Sequence, residues 1–202
     1  MQINMWEYLR NTGDGSGWDE AVLLPDVTLD TTKIKVMMIN EVPPADVDDS
    51  FYSPAEDPAY MRTTLSLFQN AGVAVTGIQD ILDRGIYLTT AVKSPKTGYE
   101  VDSDTLAAHL PILEKEIAAF AQLKVIMLMG DVAKKAFNRI AKNQTGRNAI
   151  PSGATYKIRG EEFHWNGKRV FPSYIMTGGN ILIEKSKCEM ISDDIKRMMT
   201  LL

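Results

Sequence analysis

The sequence contains one cysteine, Cys188, among 202 residues, so an intrachain disulfide and any metal site built on several thiolates are excluded. It also lacks an apolar run long enough to cross a bilayer. The first residues, MQINMWEYLR, do not have the basic start, apolar core and cleavage site of a secretion signal. We therefore expect a cytoplasmic protein with no membrane partner.

The sequence has no strong excess of either charge, and its formal net charge is −4. A strongly basic surface is the usual sign of nucleic-acid binding, so any such binding would depend on a local basic patch. The hydrophobic fraction of 45% and the length predict one domain with a sizeable core. We expect that domain to span residues 1–202, with residues 1–30 as an N-terminal extension made of a helix and a loop.

One stretch in this extension, NTGDGSGWDE at residues 11–20, contains the spacing G-x-G-x-G. A nucleotide-binding glycine loop follows a strand and opens a helix, and no strand is predicted before this stretch. We therefore interpret it as a surface loop and not as a nucleotide site.

Three near-continuous apolar runs predict strands, and they lie at residues 34–39, 86–90 and 124–129. Such runs are typical of parallel strands that are covered on both faces. A fourth strand is predicted in the hairpin signalled by Asn166-Gly167.

Helical patterns alternate with these strands. They are found at residues 60–70, from Leu106 to Phe120, in GDVAKKAFNRIAK, and in the last twelve residues. Ser103 or Asp104 is the expected cap of the second helix, and Pro111 predicts a kink or a late start there. The predicted fold class is α/β: a three-layer α/β/α sandwich around a mainly parallel, four-stranded sheet.

Ligands bind outside the carboxyl ends of the strands in open α/β sheets, so those ends are where a site is expected. Four segments qualify, and in chain order they are NEVPP, TTAVKSPK, GDVAKKAF and FPSYIMTGGN. The first is unusual because Glu41 ends an apolar run and Pro43 and Pro44 then fix the backbone behind it.

This set, in this order, resembles the uracil-DNA glycosylase superfamily from about Lys33 to the C-terminus. The nearest pattern is the branch whose first motif reads Gly-Glu-Ala-Pro-Gly. INEVPP keeps its acid and proline in Glu41 and Pro43, and Asn40 and Pro44 replace its two glycines.

The later motifs are also similar. GIYLTTAVKSPK keeps the family's lysine in Lys93 and has Thr90 where the family has an asparagine that reads the base. LKVIMLMGDVAKKAF resembles the family's Ile-Val-X-Leu-Gly-X-X-Ala segment, and VFPSYIMTGGN resembles its last motif.

The resemblance implies a role for each matching residue. Glu41 would stabilise the oxocarbenium-like sugar and orient the attacking water. Phe51 or Tyr52 would stack on the flipped base, and Thr90 would contact it. Ser173 and Lys93 would contact backbone phosphates, so DNA or a nucleotide is the implied partner.

Two departures from the family bear on activity. The last-motif histidine, which stabilises the leaving base, is replaced by Phe171 or by Ile175, depending on the register, and neither side chain donates a hydrogen bond. Loss of one such donor typically costs about 3–4 kcal/mol of transition-state stabilisation. Thr90 offers one hydroxyl where an amide offers a donor and an acceptor.

The Gly-Glu-Ala-Pro-Gly branch also holds an iron–sulfur cluster on four cysteines, which one cysteine cannot provide. We expect no cofactor and no metal. Three interpretations stay open: a base-excision hydrolase of altered specificity, a catalytically silent module that binds a nucleobase, nucleotide or DNA, and an unrelated α/β sandwich. The third would be favoured if the ends of the predicted strands did not converge. Each residue also has a structural alternative, in which Glu41 is a turn acid, Phe51 and Tyr52 pack the loop, and Lys93 is a surface charge.

Overall fold

The computed structural model describes residues 1–11, 22–98 and 100–202. The glycine-rich stretch at 11–20 therefore lies almost wholly outside the described residues, and its predicted loop is untested. The described N-terminal part forms a small antiparallel sheet of β1 (Gln2–Asn4) and β2 (Thr28–Asp30), with helix α1 (Met5–Arg10) following β1. This small sheet is too short to have a clear sequence pattern and was not predicted.

The main sheet has five strands in the order β4-β3-β5-β7-β6. Four of them are parallel, and β6 runs antiparallel to β7 at one edge. The strands are β3 (Val36–Asn40), β4 (Ile86–Thr90), β5 (Val125–Met129), β6 (Phe163–Trp165) and β7 (Lys168–Ser173). Four strands were predicted, and the fifth arises because both arms of the hairpin join the sheet.

Helices cover both faces of this sheet, which confirms the three-layer α/β/α sandwich. One face packs on α1, α4 and α5, and the other on α2 and α7. The helices after α1 are α2 (Ala59–Asn70), α3 (Ile78–Asp83), α4 (Ser103–Ala118), α5 (Asp131–Thr145), α6 (Thr155–Ile158) and α7 (Lys185–Met199). Within the described residues, no helix is long and apolar enough to cross a membrane.

The apolar runs form strands because each strand contributes side chains to both cores. In β3, Val36 and Met38 pack towards α2 and α7, whereas Met37 and Ile39 pack towards α4 and α5. All five residues of β3 are buried, as the continuous apolar run predicted.

The hairpin turn is confirmed, whereas the predicted cap of α4 is wrong. Asn166 (φ 46°) and Gly167 (φ 75°) both have the positive φ of a tight hairpin turn, as their sequence predicted. The predicted start of α4 was wrong, because Asp102 is the cap and accepts hydrogen bonds from the Asp104 and Thr105 amides (3.0 and 2.8 Å). The helix runs through Pro111, whose ring faces outward, so a late start does not occur.

The order of the strands in the sheet indicates where a ligand site is expected. The chain goes from β3 to β4 on one side and then crosses to β5 on the other side of β3. The carboxyl end of β3 is therefore the switch point of the sheet, where open α/β folds form ligand crevices. Glu41 is the residue that follows this strand.

Candidate active site

A cavity of about 600 Å³ opens at the carboxyl ends of β3 and β4. Four of the predicted site residues, Pro43, Phe51, Tyr52 and Thr90, line it. Its size is within the range of small-ligand pockets and exceeds what one nucleobase fills. The structure thus places four of the ten predicted site residues around one cavity.

Glu41 lies beside this cavity without lining it. Its Oε1 accepts a hydrogen bond from the backbone N–H of Val132 (3.1 Å), in the first turn of α5. Its backbone carbonyl accepts from the Val92 amide (3.0 Å), which fixes the residue between β3 and the segment after β4. The N-terminal end of a helix favours a negative charge, so the carboxylate is held in a defined position at the switch point.

Gly130 makes this position available. Its φ is +105°, and a Cβ placed on it would lie 2.4 Å from Glu41 Oε1. The Gly130 amide also donates to the Ser173 carbonyl at the end of β7 (3.1 Å). The carboxyl ends of β3, β5 and β7 therefore converge, which is the arrangement expected of a site at this edge.

Asn40 and Thr90 are register partners on neighbouring strands. Asn40 is fully buried, and its Nδ2 donates to the Thr89 carbonyl (3.4 Å), while its Oδ1 has no partner among the described residues. Thr90 is 7% exposed and forms part of the cavity wall. Asn40 therefore lies behind the wall and Thr90 on it.

The two aromatic residues after the first motif have different positions. Phe51 is 5% exposed, lines the cavity and packs against Tyr60, with 5.3 Å between the ring centroids. Tyr52 also borders the cavity, but its hydroxyl donates to the Leu88 carbonyl (2.8 Å) and accepts from the Leu88 amide (3.1 Å). Leu88 is on the edge strand β4, so Tyr52 covers an open sheet edge. Burial raises the pKa of Tyr52. Phe51 is thus the better candidate to stack on a base.

The expected phosphate contact by Lys93 does not fit the structure. Lys93 is fully buried, and its Nζ donates to Glu116 Oε2 (2.5 Å), Thr89 Oγ1 (2.6 Å) and the Thr90 carbonyl (2.6 Å). Burial lowers the pKa of Lys93, and the Glu116 carboxylate opposes that effect. Glu116 also accepts from the Tyr87 hydroxyl (2.8 Å). Lys93 therefore ties β4 to α4 and is shielded from solvent.

Ser173 is also buried, and its hydroxyl is hydrogen-bonded inside the protein. Its hydroxyl donates to Asp194 Oδ2 (2.7 Å), and Asp194 forms an ion pair with Arg159 (2.9 Å). Because Ser173 is fully buried, it does not face a phosphate.

The two candidate replacements for the last-motif histidine also differ in place. Phe171 is 3% exposed in the core, with the guanidinium of Arg169 over its ring at 4.2 Å. Ile175 follows β7 and is half-buried. Neither residue lines the cavity.

Tyr60 is a site residue that the sequence reasoning missed. It lines the cavity, and its hydroxyl donates to the Val42 carbonyl (3.1 Å). Burial raises the pKa of Tyr60, and the carboxylates of Glu41 and Asp49 raise it further. An aromatic residue in the first turn of a helix resembles core packing, so no sequence signal marked Tyr60.

The described residues contain no cluster of three or more His, Cys, Asp and Glu side chains able to hold a metal ion. The polar groups that the structure places at this site include the Glu41 carboxylate beside the cavity and the Tyr60 hydroxyl on its wall.

Comparison with known proteins identifies the family. The model of the uracil DNA glycosylase superfamily matches residues 31–181, a range that starts just before β3 and ends after β7. No curated protein matches the chain. The matched range is more than half of the chain and contains Glu41, Gly130 and most of the cavity wall. The superfamily acts on DNA, and membership supports a glycosylase-like function. This chain belongs to the uracil DNA glycosylase superfamily.

Proposed function

We propose that the protein hydrolyses the N-glycosidic bond of a deaminated or damaged base in DNA, as a base-excision enzyme of altered specificity. The observation that carries the proposal is the Glu41 carboxylate, held by the Val132 amide at 3.1 Å beside a cavity that Thr90 and Phe51 line. A flipped base would enter this cavity, stack on Phe51 and meet the Thr90 hydroxyl.

The reaction breaks the bond between the base nitrogen and C1′ of deoxyribose, and the electron pair leaves with the base. The negative charge of Glu41 stabilises the oxocarbenium-like sugar and orients a water molecule. The water oxygen bonds to C1′, and its proton ends on the departing base. The products are an abasic sugar and a neutral free base.

Tyr60 supplies the hydrogen-bond donor that the last motif lacks. Its phenol borders the cavity, and burial raises its pKa, so it keeps its proton over the neutral pH range. The O–H that points at the Val42 carbonyl turns towards a carbonyl oxygen of the leaving base and stabilises the charge there.

A binding module without catalysis is the second candidate. The specific observation in its favour concerns the two candidate replacements for the last-motif histidine. Phe171 is buried in the core and Ile175 is apolar, so neither side chain can donate a hydrogen bond to a leaving base. Formation of an abasic product separates the two candidates.

The test is an abasic-site assay on oligonucleotides that carry uracil, hypoxanthine, xanthine or an oxidised pyrimidine, in single and double strands. The proposal predicts strand cleavage at one of these bases after alkaline treatment. Tight binding of an oligonucleotide with no abasic product from any of them would favour the binding module.

A further inference from the structure

Part of the cavity wall comes from outside the residues that match the family. Trp6 and Arg10 lie on α1, before the matched range of 31–181, and both line the cavity. Residues 22–26 complete this part of the wall. The cavity is therefore larger than the family domain alone would make it.

Helix α1 is fixed firmly enough to present a binding surface. Met5 and Leu9 are buried in the core, at 0% and 1% exposure. The Met5 amide donates to the Val27 carbonyl (2.9 Å), and Lys115 Nζ donates to the Leu9 carbonyl (2.6 Å). The opposite side of the helix, with Trp6 and Arg10, is exposed.

Trp6 and Arg10 form a preorganised pair. The two residues are four positions apart on the helix, and the Arg10 guanidinium lies 4.4 Å from the centroid of the Trp6 ring. Trp6 remains 39% exposed, so part of its ring surface is accessible to a ligand. Exposed aromatic rings next to a cation are the surfaces on which single-stranded bases stack.

The charges around the cavity limit what it binds. Arg10 is the only cation among the described lining residues, and Asp26 and Asp48 line the same cavity. Asp26 accepts a hydrogen bond from Asn4 Nδ2 (2.9 Å) and so stays in place. The wall therefore suits one phosphate and repels a row of them.

We propose that Trp6 and Arg10 form a second nucleotide subsite, which binds the neighbour of the excised nucleotide in a single strand. The neighbouring base stacks on Trp6, and the phosphate between the two nucleotides contacts Arg10. This inference rests on the proposed function, because it assumes that the first base enters beside Thr90. Binding at the second subsite does not itself require catalysis.

The test measures binding by the full-length Glu41→Gln protein, so that turnover does not interfere. The probes are a single-stranded pentadeoxynucleotide with a central uracil and the single nucleoside deoxyuridine. Trp6→Ala should weaken pentanucleotide binding about tenfold and leave deoxyuridine binding unchanged, while Trp6→Phe should retain most of the affinity. Arg10→Gln should reduce the slope of log K against log salt by about 0.7, the value for one phosphate on a single strand.

Tyr156→Ala is the matched control, because Tyr156 is an exposed ring with Lys157 over it at 5.7 Å and does not line the cavity. Equal pentanucleotide binding by Trp6→Ala and Tyr156→Ala would overturn the inference. A parallel loss of deoxyuridine binding in Trp6→Ala would also overturn it. So would a failure of the Glu41→Gln protein, or of its Tyr156→Ala variant, to bind the pentanucleotide. If the Trp6 effect appears but the wild-type protein forms no abasic product, the subsite stands and the proposed catalysis fails.

Discussion

The Glu41 carboxylate occupies the space that a side chain on Gly130 would need. A Cβ on Gly130 would lie 2.4 Å from Glu41 Oε1 and 2.8 Å from its Cγ. Glu41 can therefore take this position only because the residue after β5 is a glycine. The Val132 amide in α5 then holds the Glu41 carboxylate there.

Gly130→Ala should displace Glu41 and reduce base release strongly while the fold persists. The substitution also strains a backbone at φ +105°, which should lower the free energy of unfolding by about 1–3 kcal/mol. Urea unfolding and the abasic-site assay measure the two effects. Gly146→Ala is the control, because Gly146 also has positive φ (+79°) at the other end of α5 but has no heavy atom within 4 Å of a built Cβ. If both variants lost base release equally, the displacement of Glu41 would not be the cause.

Tyr60→Phe should lower the rate of base release by roughly a hundredfold or more, since it removes one donor to the leaving base. Oligonucleotide affinity should change little, because the ring that packs on Phe51 is kept. Single-turnover kinetics and fluorescence anisotropy give the two quantities. Thr63→Val provides a control on the same helix, since the Thr63 hydroxyl donates to the Ala59 and Tyr60 carbonyls of α2 (3.3 and 3.1 Å) and Thr63 does not line the cavity. An unchanged rate in Tyr60→Phe would remove the phenol from the mechanism.

The buried pair of Lys93 and Glu116 should behave as a structural unit. Lys93→Met leaves Glu116 charged and unpaired in the core, so the free energy of unfolding should fall by about 3–5 kcal/mol. The double variant with Glu116→Leu should recover much of this loss, because the orphaned charge is gone. Urea unfolding checks both. A salt-dependent loss of oligonucleotide affinity in the folded double variant would instead support the phosphate contact expected from the sequence.

The framework of this fold could be predicted because its signals are local. Continuous apolar runs indicated β3, β4 and β5, and Asn166-Gly167 indicated the hairpin, since each depends on a few adjacent residues. The fifth strand and the short helices α3 and α6 were missed because three to six residues carry too little periodicity.

The predicted positions that the structure brings near the cavity lie at the ends of β3 and β4 or in the segment after β3. Glu41 directly follows β3, and Thr90 is the last residue of β4. The burial of Lys93 depends on Glu116, 23 positions later on α4, and a lysine after a strand looks like a surface charge. Glu116 did give a signal, because it is a charged residue beside the apolar stripe that contains Leu113 and Ile117.

His109 should make stability depend on pH. Burial lowers its pKa from the ordinary value of 6.5, and the nearby Lys93 charge lowers it further. Below that ordinary value the unfolded chain takes up a proton that the folded protein resists, so the free energy of unfolding should fall as pH decreases through 6.5 towards the folded pKa. Unfolding in urea between about pH 7.5 and pH 5.5 measures this slope. His109→Gln should flatten it. A slope that His109→Gln leaves unchanged would assign the effect to other groups.

The most direct test of the account is the single-turnover rate of abasic-site formation by Glu41→Gln, on the oligonucleotide that the wild-type protein cleaves fastest. Gln keeps the shape of the side chain and its contact with the Val132 amide but removes the negative charge that the proposed mechanism places against the sugar. Circular dichroism and anisotropy on the same samples establish that folding and oligonucleotide affinity are retained. The account predicts that the rate falls by about a hundredfold or more while affinity changes little. A Glu41→Gln protein that releases the base at the wild-type rate would contradict it.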